Sequence, residues 1–221
     1  MESKQPTTNP AKDPKAKIMD GFRLYVLEHG HVPPSVYKLT KTLKIEERDF
    51  YEHFTSFGAL LSSFWVEMFE KTIEDLSAQA VYTQYSVREK LLAFFFTWIE
   101  ELRKNRSYLL ALYDKKGANL KLPPPEVAAF KEKFNEFVKV ILAEGEETGE
   151  VAKRPLITNR YHEGIWLQVW FIFQFWIKDT STSFERTDAA IEKSVHLVFD
   201  LIGKNALDSI IDLAKLLYQN K

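Results

Sequence analysis

The sequence predicts an all-α protein, and two observations carry that prediction. Glycine is scarce, at 8 of 221 residues, and few β-branched runs are bounded by turn residues. Apolar residues instead recur at helical spacing through most of the chain, often behind a residue that can cap a helix. A chain of this length can bury one sizeable core or two modest ones. The composition, 45% hydrophobic and 28% charged, is typical of a globular protein.

The N-terminal residues are expected to form a flexible arm. Residues 1–14 are polar and contain three prolines. They lack the apolar stretch of a signal peptide. The most apolar window of the chain, residues 165–177, is interrupted by Gln168 and Gln174 and is shorter than the roughly 20 residues that a membrane span needs. The expectation is a cytoplasmic protein without a membrane span.

Three short helices are predicted after the arm. The first runs from Pro14 to about Glu28, the second begins behind Ser35, and the third follows a tight connection at Lys44 and Ile45. The third helix is predicted to span the sequence EERDFYEHF. Two helices joined by so short a turn form the helix-turn-helix arrangement, whose second helix can enter a major groove.

A longer pattern extends through these helices into the next one. Its members are Ser35, Val36, Leu39, Ile45, Phe50, Tyr51, Phe54, Ser56, Ala59, Leu60 and Leu61. This order, an aromatic-rich helix ending in Tyr-x-x-Phe and then Ala-Leu-Leu, resembles the TetR family of bacterial repressors. The resemblance implies a helix-turn-helix domain in residues 15–60 and a ligand-binding and dimerisation domain in residues 61–221.

The resemblance also implies that the helix-turn-helix contacts a DNA operator. The residues assigned to this contact are Ser35, Lys38, Lys41, Lys44, Glu46, Glu47, Arg48, Tyr51 and His53. The third helix is unusual for this role, because four carboxylates accompany Lys44 and Arg48 in residues 44–54. The family usually has a glycine in the turn where Lys44 stands, and a phosphate-binding lysine where Phe57 stands. Each carboxylate that faces a phosphate weakens binding, so the sequence predicts the fold more strongly than it predicts DNA binding.

Seven further helices are predicted beyond the helix-turn-helix. The first begins behind Ser56, reaches about Gln79, and at about 33 Å is long enough to act as a lever between two parts of the molecule. The others are residues 87–104, 107–116, 127–147, 160–178, 185–204 and 206–219. The helix at 160–178 is apolar nearly all round, which indicates burial on several sides.

Aromatic residues in the C-terminal part are candidates for a ligand pocket. The resemblance implies an effector site there, and its aromatic composition would suit a small hydrophobic or aromatic effector. The residues assigned to it are Phe95, Trp98, Tyr113, His162, Trp166, Trp170 and Phe173. The alternative is that the same rings serve only to pack the core or a dimer face.

The last two predicted helices are candidates for a homodimer interface. In the family, the corresponding helices pair across a two-fold axis, which is also the commonest symmetry of oligomers. The residues assigned to this interface are Val195, Val198, Ile202, Ile210, Leu213 and Leu217. The alternative is that these faces close the core of a monomer.

Several classes of chemistry find no support in the sequence. The chain has no cysteine, which excludes disulfides, thiolate catalysis and cysteine-ligated metals. None of the five histidines forms a helical i,i+4 ligand pair, and no glycine-rich phosphate loop or Gly-x-Ser-x-Gly motif is present. The expectation is therefore a protein that is not an enzyme and that carries no cofactor or metal. The formal net charge of −1 means that any basic surface is local.

Two functional hypotheses follow. The first is a ligand-responsive, DNA-binding transcriptional regulator of the TetR type, acting as a repressor. The second is a TetR-fold protein that no longer binds DNA and serves as an interaction module or as a binding module for lipids or other hydrophobic ligands.

Overall fold

The computed structural model describes residues 13–113, 122–154 and 157–203. Within these ranges the chain forms nine α-helices and no β-strand, so the predicted all-α class is confirmed. The helices are α1 (Pro14–His29), α2 (Val36–Leu43), α3 (Glu47–Tyr51), α4 (Phe57–Ser77), α5 (Val87–Lys104), α6 (Arg106–Tyr113), α7 (Ala128–Thr148), α8 (Tyr161–Lys178) and α9 (Glu185–Ile202). The predicted helix at 206–219 and most of the predicted arm lie outside the described residues.

The helices begin where the sequence places capping side chains. The hydroxyls of Ser35, Ser56 and Ser86 each accept a hydrogen bond from the backbone amide three residues later, at 3.1, 3.1 and 3.3 Å. Each bond satisfies an amide that has no partner inside the helix. At the other end of α1, Gly30 adopts a left-handed conformation with φ 71°, as a glycine that ends a helix commonly does. These predicted boundaries are confirmed.

Helices α1, α2 and α3 share one small core. Phe22, Leu39 and Phe50 are fully buried in it. Phe57, the first residue of α4, closes this core, because its ring lies 5.0 Å from that of Phe22 and 5.7 Å from that of Phe50. The position where the resemblance expected a phosphate-binding lysine therefore carries a packing residue that joins α4 to the three preceding helices.

Helix α4 connects this small core to the rest of the molecule. Its 21 residues span about 32 Å, and it packs against both α5 and α7. Helix α8 lies among α6, α7 and α9, which explains why it is apolar on most sides. A second connection joins α1 to α6, and just before α6 the side-chain oxygen of Asn105 accepts a 3.3 Å hydrogen bond from the guanidinium of Arg23.

Arg106 fixes the end of α8. Its guanidinium donates hydrogen bonds to the carbonyl oxygens of Trp176, at 3.0 Å, and Asp179, at 2.9 Å. It also lies over the rings of Trp176 and Phe184, 4.7 and 4.6 Å from their centroids. Carbonyl groups at a helix C-terminus lack partners within the helix and favour a cation. Arg106 thus ties the start of α6 to the end of α8.

The turn between α8 and α9 is held by the carboxylate of Asp179. Its two oxygens accept hydrogen bonds from the backbone amide and the hydroxyl of both Ser181 and Thr187, at 2.6 to 2.9 Å. The turn includes Ser183 and Phe184, two consecutive left-handed residues that are not glycine, a conformation that costs energy. Burial raises the pKa of the Asp179 carboxyl, but the four hydrogen bonds outweigh this effect and lower the pKa from its ordinary 3.8 to about 2.

Replacing Asp179 by asparagine is expected to destabilise the fold in a pH-dependent way. A carboxyl whose pKa falls on folding stabilises the native state above its unfolded pKa and loses that contribution as the pH falls through the folded value. The variant should therefore be less stable at pH 7 by roughly 2 kcal/mol. This difference should shrink as the pH is lowered from about 4 towards about 2. Urea unfolding at several pH values measures it.

The matched control is Asp200→Asn, because Asp200 is exposed on α9. It should change stability little at any of these pH values. Equal unfolding midpoints for wild type and the Asp179 variant at pH 7 would contradict the role given to this carboxylate.

Candidate functional site

The turn between α2 and α3 has the geometry of a helix-turn-helix. Lys44 ends α2 with φ 54° and ψ 49°, a left-handed conformation. The backbone amide of Ile45 donates a 3.1 Å hydrogen bond to the carbonyl oxygen of Thr40, which closes the turn. Left-handed residues favour glycine, and a glycine is what the resemblance expects at this position. The turn between α2 and α3 therefore has the expected left-handed conformation, although a lysine occupies the position.

Helix α3 is shorter than predicted. The prediction extended it to residue 54, whereas it spans Glu47–Tyr51. It begins with a reciprocal cap, in which the side chain of Asp49 accepts a 3.0 Å hydrogen bond from the amide of Glu46. After Tyr51 the carbonyl of Phe50 accepts hydrogen bonds from the amides of both His53, at 3.1 Å, and Phe54, at 2.8 Å, which form a tight turn. His53 thus lies beyond the helix.

All nine predicted DNA-contact residues are exposed on the surface. They are Ser35, Lys38, Lys41, Lys44, Glu46, Glu47, Arg48, Tyr51 and His53. The Ser35 hydroxyl already serves as the cap of α2. Exposure leaves the other eight side chains accessible to a nucleic acid, and their contact with DNA stays a prediction.

Arg48 is the cation at the centre of the acidic helix. Its guanidinium lies 4.0 Å from a carboxylate oxygen of Glu46 and 3.7 Å from one of Glu52, and its side chain is 77% exposed. Exposed ion pairs of this kind contribute only about 0–1 kcal/mol. Arg48 can therefore exchange its carboxylate partners for another anion or for a base edge at small cost.

Two features of this surface were not foreseen from the sequence. Asp49, counted there as one of four repelling carboxylates, is half-buried and used as a helix cap. Tyr37, on the outer side of α2, is 59% exposed, and the ammonium group of Lys41 lies 5.6 Å from its ring centroid. Tyr37 lies next to the apolar residues of a short helix, so the sequence alone does not show whether its ring faces the core or the solvent.

The predicted pocket aromatics are buried, and most are joined by ring contacts. Phe173 contacts Tyr113 and Trp170, with centroids 5.6 and 5.2 Å apart. Trp98 and Trp166 both contact Phe130, at 5.6 and 5.3 Å. Phe95 is fully buried beside Phe94. These contacts are the core packing that the alternative interpretation describes, and an effector pocket among the rings stays a prediction.

Trp65 of α4 joins the two groups of rings. Its ring lies 5.2 Å from that of Phe173 and stacks on that of Phe130 at 6.0 Å. Its indole nitrogen donates a 3.0 Å hydrogen bond to the Tyr113 hydroxyl. The connecting helix therefore enters the aromatic cluster directly, a role for Trp65 that its place in a helical stripe does not reveal.

His162 lies apart from these rings. It is half-buried in a surface groove with Lys139 of α7 and Thr158. Burial, together with the nearby positive charge of Lys139, lowers the pKa of His162. Its groove contains none of the predicted pocket aromatics, and a place for His162 in an effector pocket stays a prediction. Among the described residues, no three histidine, aspartate or glutamate side chains form a group that could hold a metal.

The predicted dimer residues of α9 pack as the alternative interpretation describes, and their part in a dimer stays a prediction. Val195 and Ile202 are buried in the core of the chain, and Val198 is half-buried against it, so the predicted face points inwards. The residues predicted beyond α9, namely Ile210, Leu213 and Leu217, lie outside the described residues. The exposed apolar residues of α8 and α9 are instead Leu167, Phe171, Leu197 and Leu201, with exposures of 65, 48, 59 and 42%.

None of the described helices is long and apolar enough to cross a membrane.

Comparisons with solved structures identify similar folds. A proposed TetR family transcription regulator from Shewanella sp. PV-4 has a TM-score of 0.61 at 12% identity, over 88% of this chain and 100% of that one. A TetR family regulatory protein from Rhodococcus RHA1 has a TM-score of 0.51 at 14% identity, over 88% and 99%. The TetR family transcriptional regulator PfmR from Thermus thermophilus has a TM-score of 0.50 at 15% identity, over 86% and 99%. These likenesses confirm the TetR-like fold.

Sequence comparison assigns the family. No curated protein matches the chain. A family model described as the C-terminal domain of tetracycline-repressor-like proteins matches residues 90–217, which is more than half of the chain. The match lies outside the helix-turn-helix from which the resemblance was drawn, so the two ends of the molecule lead independently to the same conclusion. The chain belongs to the TetR family of transcription regulators.

Proposed function

We propose that this protein is a dimeric repressor that binds DNA through its helix-turn-helix and releases it in response to a small hydrophobic or aromatic molecule. In this proposal residues 15–60 are the DNA-binding domain, and residues 61–221 bind the effector and form the dimer. The observation that carries the proposal is the turn at Lys44, which sets α2 and α3 in helix-turn-helix geometry with their charged faces exposed.

The charges on this surface suggest that α2 and the turn contact phosphates, whereas α3 contacts bases. Lys38, Lys41 and Lys44, on α2 and in the turn, are suited to phosphate contacts, which position the protein without reading sequence. Arg48 and Tyr51 on α3 are suited to base edges, arginine pairing with guanine and the aromatic ring contacting a thymine methyl group. The exposed carboxylates of α3 weaken the general attraction to DNA, so that base contacts account for more of the total affinity.

The packing offers a route from the effector to the DNA-binding surface. Helix α4 carries Phe57 in the small N-terminal core and Trp65 in the aromatic cluster. A molecule that moves the aromatic rings would therefore tilt α4 and shift the position of α3. An effector that binds one tilt more tightly than the other shifts the population between DNA-binding and non-binding states.

The exposed apolar residues of α8 and α9 are the proposed dimer face. Leu167 and Phe171 lie one turn apart on α8, as do Leu197 and Leu201 on α9, and the two helices pack against each other. Exposed large apolar side chains on two neighbouring helices are candidates for an interaction site. A second copy of the chain is the natural partner for such a face, since a two-fold axis brings identical surfaces together.

DNA binding is tested by mobility shifts with DNA from around the protein's own gene, over a range of salt concentrations. Lys41→Ala should weaken binding to all sequences similarly and reduce the slope of log affinity against log salt by about 1, because it removes one phosphate contact. Arg48→Ala should change the sequence preference and cost about 1–3 kcal/mol at the base that it reads.

Lys193→Ala is the matched control, because Lys193 is exposed on α9, away from the helix-turn-helix. It should leave both affinity and slope unchanged. A folded dimer that gives no shift at low salt would overturn the proposal and favour the alternative of a binding module without DNA. Lipid found by mass spectrometry on the purified protein would support that alternative.

The dimer face is tested by Phe171→Glu. A charge at this position would have to be desolvated in the interface, so the dimer dissociation constant should rise about 30-fold or more. Val140→Glu is the control, since Val140 is 61% exposed on α7. Sedimentation at several protein concentrations measures both variants. A Phe171 variant that dimerises as tightly as the control would place the interface elsewhere.

A further inference from the structure

A cavity of about 250 Å³ lies between the helix-turn-helix and the C-terminal helices. Its lining comes from the connection between α1 and α2, from α4, from α6, and from the short turn before α7. The lining residues are Gly30, His31, Val32, Leu61, Ala111, Leu112, Tyr113 and Glu126. Tyr113 alone among them belongs to the predicted effector pocket. The cavity is smaller than a site for a drug-sized molecule.

Glu126 is the acidic group of this cavity. The Tyr113 hydroxyl donates a 3.3 Å hydrogen bond to its Oε1 atom, and the indole nitrogen of Trp65 donates to that hydroxyl. Burial raises the pKa of Tyr113, which keeps its proton in place as the donor. No lysine or arginine among the described residues forms an ion pair with Glu126. The carboxylate is therefore oriented through one oxygen, and no cation among the described residues pairs with it.

His31 is the second polar group. Its Nδ1 atom lies 2.8 Å from the carbonyl oxygen of Val32. A carbonyl oxygen only accepts hydrogen bonds, so Nδ1 carries the proton, and in the neutral ring Nε2 is then an acceptor. The ring is held further by edge contacts with Tyr25 and His29, at 6.0 and 6.1 Å. Glu126 and His31 are thus the two side chains of the lining with acceptor atoms left for a ligand, while Leu61, Leu112 and Val32 form apolar walls.

We propose that this cavity binds a small organic cation, a primary amine with an apolar or aromatic body. An ammonium group can donate a charge-assisted hydrogen bond to the Glu126 carboxylate, which lines the cavity, and has further protons for His31. The apolar body replaces water against the leucine and valine side chains. An anion would be repelled by Glu126, and a neutral alcohol would leave its charge unpaired.

Because of where the cavity lies, a bound amine would change the affinity of the protein for DNA, an inference that rests on the proposed function. His31 and Val32 precede Ser35, the cap of α2, by only a few residues. An amine that joins them to Glu126 ties the α1–α2 connection to the turn before α7. Occupancy then favours one position of α2 and α3 relative to the C-terminal helices, and so changes affinity for DNA.

The test uses 2-phenylethylamine as the probe and the full chain as the target. Calorimetry measures affinity, and the methyl resonances of Leu61 and Leu112 report the place of binding. Compared with the amine, the neutral isostere 2-phenylethanol should bind at least about tenfold more weakly. Glu126→Gln should weaken amine binding by about the same factor, whereas Glu163→Gln, which changes an exposed glutamate of α8, should not affect it.

Ala111→Phe gives a second test, since the larger side chain fills the cavity and should abolish the methyl shifts. The proposal is overturned if amine and alcohol bind equally, if Glu126→Gln binds the amine as wild type does, or if binding is absent up to about 10 mM. Mobility shifts without the amine are scored separately. If the protein binds DNA but not the amine, the amine site is ruled out and the proposed repressor is not. If it binds the amine but not DNA, the proposed repressor is ruled out and the amine site is not.

Discussion

The contact on which the rest of the structure depends is the packing of α4 into two aromatic clusters at once. Phe57 completes the core of the three N-terminal helices, and Trp65 connects the rings of the C-terminal helices. The two residues are about 12 Å apart along a single helix. Because packed cores resist deformation, neither cluster can shift far without moving α4. The helix-turn-helix is therefore mechanically joined to the part of the molecule in which a ligand would bind.

Each of three departures from the family's usual pattern has a local structural role. Phe57 stands where the family usually has a lysine, and its contacts with Phe22 and Phe50 make this position part of the packing. Lys44 replaces a glycine and puts a positive charge in the turn, at the cost of a left-handed backbone. Asp49 caps α3. The chain keeps the geometry of the module, with a lysine in the turn and a packing residue at the start of α4.

The sequence predicted those features that depend on neighbouring residues. The serine caps and Gly30 fixed the ends of helices, because a cap acts within one turn of the backbone. The sequence did not determine which side of α9 the chain itself covers, because this helix carries apolar residues on two sides and periodicity does not distinguish them. Bonds between distant segments, such as those of Arg106 with the end of α8 or Glu126 with Tyr113, leave no pattern along the chain.

The central claim is that the acidic α3 faces DNA, and Glu47→Gln combined with Glu52→Gln tests it most directly. Both side chains are exposed, and neither takes part in the Asp49 cap. If α3 lies against phosphates, removing two repelling charges should tighten binding by about tenfold or more at low salt. The pair Glu185→Gln and Glu192→Gln, exposed on α9, should have no such effect. Unchanged DNA affinity in the α3 variant would contradict the account.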